Sequence, residues 1–460
     1  MPNSTIAAVA SAMTASGIGI IRISGGDARE ILKKVYRSPD KNKDITKELS
    51  HTIHYGYIYD KEQMIDEVLV MIMDGPRSYT GENTVEIDCH GGVLAMQRVL
   101  EVVIKNGAKI AEPGEFTKRA FLNGRIDLSQ AEAVGDIINA KSEYALQSSV
   151  SQLRGNVQRT IKGIREKIIY HIAYIESALD DPEHVSLEGY PDELAGAVEK
   201  EKGKIKQLIA SADGGKIIRE GIKTVIVGKP NAGKSSLLNI LVGEERAIVT
   251  DVAGTTRDVL EETIIMQGIS LQMMDTAGIR ETTDIVEKIG VEKTREYTKK
   301  ADLILYVVDA SVPLDENDEE IFSMLKEENK KAIILLNKSD LDIVVTVAEL
   351  KKKCPFAIIT ISAKEEKGIQ ELEIKMKEMF FNGEISFNDE VYITNARHKA
   401  ALHEVEESLE MVSHSIIDGM PEDFYSIDLM NAYNSLGKIT GEAAGEDLIN
   451  EIFSKFCTGK

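Results

Sequence analysis

Apolar residues in the first 120 positions occur in short runs, and most of these runs end at a glycine or a proline. Ile18–Ile23 and Glu67–Met73 have the pattern of short apolar strands, and Thr84–Asp88 alternates apolar and polar residues, as a strand with two different faces does. The stretch 93–106 has the apolar spacing of a helix and follows a Gly-Gly pair. We therefore predict a mixed α/β domain at the beginning of the chain.

From about residue 120 the pattern becomes helical. Apolar residues recur three or four positions apart over 128–138 and 161–175. Gly214-Gly215 is expected to end this helical stretch, because glycine disfavours the interior of a helix. Helical spacing returns over 398–411 and 447–456.

Between the two helical stretches, strands and helices alternate. Residues 224–227, 303–308 and 332–336 are continuous apolar runs, as parallel strands buried on both faces are. The pattern predicts a multidomain protein of α/β and all-α parts, in which a doubly wound P-loop domain interrupts a helical domain. The expected segments are residues 1–119 for the α/β domain, 120–215 and 381–460 for the helical domain, and 216–380 for the inserted domain.

The charge balance limits the ways in which this chain can bind nucleic acid. The formal net charge is -21 and the composition is otherwise ordinary for a globular protein. Such a balance argues against a surface that is broadly adapted to phosphate contacts. A nucleic-acid substrate would need a local basic patch or a partner protein.

Cys89, Cys354 and Cys457 are an odd and widely spaced set, which favours a reducing compartment over a disulfide framework. No two of them have the spacing of a Cys-x-x-Cys metal site. The first residues lack a basic signal-peptide region, and no apolar run is long enough to span a bilayer. We expect a cytoplasmic protein that does not use the membrane.

The strongest local motif is Gly228–Ser235, which matches the phosphate-loop pattern GxxxxGK[ST] between a predicted strand and a predicted helix. Its backbone N–H groups and the helix N-terminus favour phosphate oxygens. Lys234 is predicted to reach the β- and γ-phosphates, and Ser235 to bind Mg²⁺.

Three later motifs predict that the nucleotide is GTP. Asp275-Thr276-Ala277-Gly278 can hold Mg²⁺ through water and approach the γ-phosphate. In Asn337-Lys338-Ser339-Asp340 the Asp340 carboxylate can accept two hydrogen bonds from guanine, which adenine cannot offer. Ser362-Ala363-Lys364 fits the loop that presents a backbone N–H to the guanine carbonyl.

The four motifs resemble those of the translation-factor-related G proteins, and Gly254–Asp258 narrows the likeness. That resemblance implies that Thr256 is the switch threonine that binds Mg²⁺. The position that carries a water-orienting Gln in Ras-like proteins is Ile279 here, so another group must orient the attacking water. Glu287, in the polar segment that follows, is the candidate.

Segments outside the nucleotide motifs resemble one family, the tRNA modification GTPases. The likeness is carried by the ending Phe456-Cys457-Thr458-Gly459-Lys460 and by residues 19–25, 78–82, 90–92 and 113–124, so it covers the whole chain. It implies a GTPase that acts with a flavoprotein partner to place an aminomethyl-type group, of the carboxymethylaminomethyl kind, on carbon 5 of the wobble uridine of tRNA.

The same resemblance implies a homodimer formed through an N-terminal domain that is similar to folate-binding one-carbon enzymes. The flavoprotein would complete a heterotetramer. A tetrahydrofolate derivative, in the 5-formyl or methylene form, would supply the carbon unit. The implied folate-binding residues are Arg22, Glu86, Arg125 and Lys460. Glu86 can hydrogen-bond the amine edge of a pterin, while the two arginines can pair with the carboxylates of a glutamate tail.

Within the G domain the resemblance implies a K⁺ ion in place of an arginine finger. Its ligands would be Asn231, Thr250, Thr255 and the carbonyl of Val252, while Ser235 and Thr256 would hold Mg²⁺ and Glu287 would orient the water. The full set of residues expected to contact GTP is Asn231, Ala232, Gly233, Lys234, Ser235, Ser236, Thr250, Thr255, Thr256, Asp275, Thr276, Ala277, Gly278, Asn337, Lys338, Asp340, Ser362, Ala363 and Lys364.

The family also implicates the thiol of Cys457 in the modification reaction, beside Lys234 and Glu287 as the residues that act on GTP. Cys457 is a nucleophile only if nearby cations lower its pKa, and a passive thiol is the alternative. Thr458 stands where the family motif has Ile, which changes the apolar packing of the tail.

Two other functions remain open from the sequence. One is a ribosome-assembly or regulatory GTP switch that modifies nothing. The other is a folate-dependent aminomethyl or methyl transferase whose G domain only regulates it. The first would lack folate binding and the Cys457 motif, and the second would act without the flavoprotein.

Overall fold

The computed structural model describes residues 4–243, 262–266, 268–274, 298–327, 330–381 and 393–459. The chain forms two compact units. The first comprises Met1–Gly135, Gln152–Ala195 and Glu407–Lys460, and the second comprises Asp136–Ser151 and Gly196–Glu406. The predicted boundaries at 119, 215 and 380 are not tested by this division and stay a prediction.

The first unit contains a seven-stranded sheet in the order β3-β4-β5-β6-β2-β1-β7. Neighbouring strands are antiparallel, apart from the parallel pair β1 and β7. The strands are β1 (Ile6–Val9), β2 (Ile18–Ser24), β3 (Tyr36–Arg37), β4 (Thr52–Asp60), β5 (Gln63–Met73), β6 (Thr84–His90) and β7 (Lys109–Ile110). The three strands that the pattern predicts are thereby confirmed.

One face of this sheet is buried and the other is partly exposed. Helices α1 (Ala28–Val35) and α2 (Val93–Lys105) contribute to the same apolar core as the inward side chains of the strands, such as Ile21, Val70 and Ile87. Successive strand residues alternate between the faces, which is why Arg22 and Glu86 lie together on the second face as cross-strand neighbours.

The four predicted helical segments are confirmed, the last of them as far as Ser454. They lie in α4 (Leu128–Asn139), α6 (Asn156–Asp180) and, later in the chain, α12 (Ala396–Ile417) and α14 (Glu446–Ser454). The structure adds α3 (Glu115–Leu122), α5 (Glu143–Leu153), α7 (Tyr190–Glu220) and α13 (Glu422–Thr440). Within the first unit α6 and α13 are in contact, since the Arg165 guanidinium lies 4.1 Å from the centre of the Tyr433 ring. Arg165 also pairs with Glu442 at 2.5 Å.

The expected helix end at Gly214-Gly215 is wrong. Helix α7 continues through both glycines to Glu220, and the chain leaves it at Gly221 with a φ of 85°. A Cβ atom at Gly215 would collide with the carbonyl oxygen of Ile393. This glycine therefore permits a close approach of two backbones rather than ending the helix.

The second unit contains a six-stranded sheet in the order β13-β12-β11-β8-β10-β9. All neighbouring pairs are parallel except β9 and β10. The elements are β8 (Ile222–Gly228), α8 (Lys234–Val242), β9 (Glu262–Met266), β10 (Ile269–Met273), β11 (Leu303–Asp309), α9 (Glu316–Glu327), β12 (Lys331–Asn337), α10 (Val347–Lys353), β13 (Ala357–Thr360) and α11 (Ile369–Phe381).

Two separate apolar clusters use alternate residues of the central strands. Leu305 and Val307 belong to one cluster, and Ile304 and Tyr306 belong to the other. A parallel sheet whose strands are buried on both faces is the doubly wound arrangement that the continuous apolar runs predict. In the described part of the chain, no helix combines the length and apolar character needed to cross a membrane.

Candidate nucleotide-binding site

The phosphate loop lies between β8 and the first residue of α8. Asn231 and Gly233 have φ values of 57° and 98°, so the loop turns twice through the left-handed region before the helix begins at Lys234. A Cβ atom at Gly233 would collide with the Asn337 side chain. Ser235 and Ser236 belong to the first turn of α8, and the N–H groups at the N-terminus of a helix suit phosphate oxygens.

The Lys234 side chain curls over this loop. Its Nζ donates to the carbonyl oxygens of Gly228 and Lys229, both at 2.8 Å. Burial lowers the pKa of Lys234, because the charged ammonium loses water there. A phosphate close to this ammonium would restore the lost charge stabilisation, which is the role that the motif predicts for Lys234.

Asn337 joins three loops at the end of β12. Its Nδ2 donates to the Ala232 carbonyl of the phosphate loop at 2.8 Å, and its Oδ1 accepts from the Ala363 N–H at 3.0 Å. Asn337 is 2% exposed, so both hydrogen bonds are shielded from water. The structure thus brings three of the four predicted GTP motifs to one place.

Asp340 and Ser362 form the polar edge of the expected guanine pocket. The Ser362 hydroxyl donates to Asp340 Oδ1 at 2.7 Å, and this hydrogen bond is the main reason that the pKa of Asp340 lies below its usual value. This hydrogen bond favours the ionised form of the carboxylate, which is the form that the predicted contact with guanine requires. Lys364, the last residue of that motif, is exposed.

Two ion pairs beside the site involve residues that the sequence analysis missed. Lys338, with a φ of 63°, pairs through Nζ with Asp309 at the end of β11, at 2.6 Å. Burial alone would raise the pKa of Asp309, but the Lys338 ammonium and the hydrogen bonds from Ser311 together outweigh it, and the pKa is lowered. Asp309 could have been predicted from the sequence, because an acidic residue at the end of a buried strand indicates a polar contact at that edge of the sheet.

The second ion pair contacts the phosphate loop through Lys229. Lys229 Nζ lies 2.6 Å from Asp318 and 3.0 Å from Asp315, and the Tyr306 hydroxyl donates to the other Asp318 oxygen at 2.5 Å. Burial alone would lower the pKa of Lys229, but the two carboxylates outweigh it and the pKa is raised. Asp318 follows no recognisable motif, and only the fold reveals its contact with the loop.

Several predicted site residues lie outside the described part of the chain. They are Thr250, Val252, Thr255, Thr256, Asp275, Thr276, Ala277, Gly278, Ile279, Glu287 and Lys460. Their roles stay predictions.

A second cluster in the first unit brings together the other predicted site residues. Arg22 Nε donates to Glu86 at 2.7 Å, and its guanidinium lies 5.3 Å from the Tyr79 ring centre. Arg125 approaches the same ring at 4.9 Å, and Phe116 lies 5.6 Å from Arg22. Neither aromatic residue was predicted from the sequence, although Tyr79 and Phe116 belong to the segments 78–82 and 113–124 that resemble the family.

The tail of the chain lies against this cluster. Arg22 Nη1 donates to the carbonyl of Gly459 at 3.2 Å, and the Gly114 N–H donates to the carbonyl of Cys457 at 3.4 Å. The Cys457 side chain is exposed and its thiol is free. Buried Cys89 and Cys354 have raised thiol pKa values because burial disfavours their thiolates, so neither is a candidate nucleophile.

A phosphate loop hydrogen-bonded to an Asn-Lys-x-Asp loop, on a doubly wound sheet, defines a P-loop GTPase. Family models described as "MnmE helical domain" and "GTP-binding protein TrmE N-terminus" match residues 128–457 and 5–125. The chain belongs to the family of the tRNA modification GTPase MnmE, as the resemblance predicted.

Full-length relatives carry the same description. The "tRNA modification GTPase MnmE" of Lachnoclostridium phytofermentans is 56% identical over 460 residues, which is 100% of both chains. That of Thermoanaerobacter sp. strain X514 is 50% identical over 99% of both chains. Among solved structures, the G domain of the T. maritima FeoB iron transporter is 27% identical over 34% of this chain and 97% of its own, with a TM-score of 0.27, too low for any conclusion.

Proposed function

We propose that this protein hydrolyses GTP to drive the modification of tRNA, and that with a flavoprotein partner it adds a carboxymethylaminomethyl-type group to carbon 5 of the wobble uridine. The observation that carries the GTP part is the hydrogen-bonded junction at Asn337. The tRNA part is supported by relatives that match the whole chain and bear the name tRNA modification GTPase.

We infer that GTP hydrolysis uses the described phosphate loop together with the predicted switch residues. Lys234 would stabilise charge on the β- and γ-phosphates, and Ser235 with Thr256 would hold Mg²⁺. A K⁺ ion on Asn231, Thr250, Thr255 and the Val252 carbonyl would supply the charge that an arginine finger supplies elsewhere. The exposed, left-handed Asn231 supports this, because its side chain is not consumed by the core.

The cluster around Arg22 supports the proposed tetrahydrofolate site. Arg22 pairs with Glu86, whereas Arg125 lies over the Tyr79 ring and forms no ion pair with a described residue, which leaves its positive charge for a glutamate tail. The partly exposed Tyr79 ring offers a flat apolar surface to a pterin, while Phe116 is buried next to Arg22. A bound folate would supply the one-carbon unit at this place, beside the backbone of the Cys457 tail.

The exposed face of the seven-stranded sheet supports a homodimer. On adjacent β4 and β5, Ile53, Tyr55 and Leu69 are 62%, 46% and 46% exposed, and on β2 Ile18 is 62% exposed. A patch of apolar side chains on neighbouring strands is costly to leave in water. We propose that a second copy of this chain covers it, since a sheet face pairs readily with its own twofold image.

Potassium dependence tests the hydrolysis site. GTP turnover by the full chain should be at least about tenfold faster in KCl than in NaCl at equal ionic strength, which corresponds to ~1.4 kcal/mol of transition-state stabilisation. Asn231→Gly, which keeps the left-handed backbone without strain, should abolish the difference between the two salts.

Lys364→Gln at the exposed edge of the guanine pocket serves as the matched control and should keep the preference for K⁺. Equal and slow rates of the unchanged protein in both salts would overturn the cation ligands, while GTP binding and specificity would still stand. An unchanged K⁺ preference in Asn231→Gly would exclude Asn231 as a ligand.

A further inference from the structure

The beginning of α6 carries a concentration of positive charge in an otherwise acidic protein. Residues 154–167 hold five basic residues against one acidic residue, Glu166, whereas the whole chain has a net charge of -21. Arg154, Arg159 and Lys162 are all exposed. Of the five, only Arg165 is turned inward, where it pairs with Glu442.

The three exposed residues form one surface. Arg159 Nη1 donates to the Arg154 carbonyl at 2.9 Å, and Lys162 follows Arg159 by three positions, which places it one turn further along the same side of the helix. Among the residues that the structure describes, none of the three takes part in an ion pair. Their charge is therefore not neutralised within the described protein.

The helix itself adds to this positive field. The first turn of α6 contains no acidic residue, as is also true of α2, α4, α8 and α12. The N-terminus of a helix carries a partial positive charge that an acidic side chain would offset. At α6 nothing in that turn offsets it.

This surface lies close to the Cys457 tail within the same unit. Gln130 Nε2 donates to the carbonyl of Leu153, the residue before Arg154, at 2.8 Å. Gly135, five residues further along α4, lies against the Phe456 ring, where a Cβ atom would be 3.4 Å away. Five helical residues span only about 7.5 Å, so the basic surface and the tail lie at neighbouring points of α4.

We propose that Arg154, Arg159 and Lys162 bind the phosphate backbone of the substrate tRNA and direct its uridine toward the Cys457 tail. The proposal rests on the proposed tRNA-modifying function but on neither the folate nor the cation site. Exposed, unpaired arginine and lysine side chains beside a helix N-terminus are the groups that contact nucleic-acid phosphates. An acidic chain with one such patch also avoids binding nucleic acid over its whole surface.

The test is the binding of an unmodified tRNA transcript to the full chain over about 50–200 mM KCl. The triple variant R154Q/R159Q/K162Q should bind at least about tenfold more weakly, and the slope of log affinity against log salt should fall by about 2–3. The matched control K326Q/K351Q/K352Q removes the same charge from exposed lysines of the G domain and should bind as the unchanged protein does.

Because Arg159 also hydrogen-bonds the turn, R154Q/K162Q and R154K/R159K complete the series. The first should show an intermediate loss, and the second, which keeps the charge, should keep most of the affinity. Equal binding by the patch variant and the unchanged protein, or an equal loss in the control, would overturn the docking surface alone. Absence of tRNA binding by the unchanged protein alone would also overturn the docking surface, and the partner protein would then have to hold the tRNA, so that the proposed function would still stand.

Discussion

Asp318 shows how a single buried carboxylate can fix a nucleotide-binding loop. It is fully buried, and its two oxygens are shared between Lys229 of the phosphate loop and the Tyr306 hydroxyl. Since the Lys229 carbonyl also accepts from Lys234, the Asp318 contact reaches the Lys234 ammonium through one intervening residue. Asp318 is a positioning residue in this arrangement, because it touches the loop rather than the nucleotide.

We predict that Asp318→Asn lowers the affinity for GTP and destabilises the fold by about 2–3 kcal/mol, since the half-buried Lys229 ammonium loses its buried carboxylate and keeps only the half-exposed Asp315. Lys229→Met removes the stranded charge, so the double variant should be more stable than Asp318→Asn alone. Denaturant unfolding and titration with a fluorescent GTP analogue measure the two effects.

Asp315→Asn provides the control for Asp318, because Asp315 meets the same ammonium but is 51% exposed in its side chain. It should cost no more than about 1 kcal/mol. Equal losses of stability in the two variants would mean that the burial of Asp318 does not increase its contribution to the free energy of unfolding. A loss of stability in Asp318→Asn with unchanged GTP affinity would reduce its role to packing.

At the scale of secondary structure, helix α7 contains two adjacent glycines with opposite environments. A Cβ atom at Gly214 would meet nothing within 4 Å, while one at Gly215 would collide with the Ile393 carbonyl. Both residues are helical. The pair therefore separates the intrinsic cost of glycine in a helix from its value in packing.

We predict that Gly214→Ala raises the free energy of unfolding by about 0.5–1 kcal/mol, because alanine favours the helix. Gly215→Ala should lower it by about 1–3 kcal/mol, because the new methyl group forces the two backbones apart. Thermal or denaturant unfolding of both variants measures the difference. Similar shifts of the same sign would contradict the close approach.

The strands and helices that the sequence predicts correctly are those whose apolar pattern is decided locally. Continuous runs such as 303–308 can only be buried, and the glycine-rich phosphate loop has its own signature. The Gly214-Gly215 error and the missed residues Asp309 and Asp318 share one cause. Each depends on a partner distant in sequence, and a local pattern holds no information about that partner.

The same limit applies to the site. The residue types of the guanine motifs reveal their chemistry, so Asn337 and Asp340 could be named from the sequence. Their hydrogen bonds to Ala232 and Ser362 could not, because they depend on which loops the sheet order places side by side.

At the scale of the whole molecule, the tail completes the cluster around Arg22. Gly459 has a φ of 93°, and a Cβ atom there would collide with the Val9 carbonyl. We predict that Gly459→Ala releases the tail from the first unit. Backbone hydrogen exchange in residues 114–116 and 450–459 should become faster, since the Gly114 N–H loses its acceptor at Cys457.

Gly445→Ala is the matched control for Gly459→Ala. Gly445 precedes α14 with a φ of -68°, and a Cβ atom there would meet nothing within 4 Å. Its exchange pattern should stay close to that of the unchanged protein. If hydrogen exchange in the tail stays slow in Gly459→Ala, the contact between Gly459 and Val9 tolerates a side chain and the prediction is wrong.

The bond between Arg22 and Gly459 joins residues that are 437 positions apart. A ribosome adds about 5–20 residues per second, so roughly 20–90 s pass between the synthesis of Arg22 and that of its acceptor. The first sheet can fold long before then, because all seven of its strands lie within the first 110 residues. Arg22 cannot make this hydrogen bond until Gly459 has been synthesised. During most of its translation, a nascent chain therefore carries a sheet whose Arg22 cluster lacks the contact with the tail.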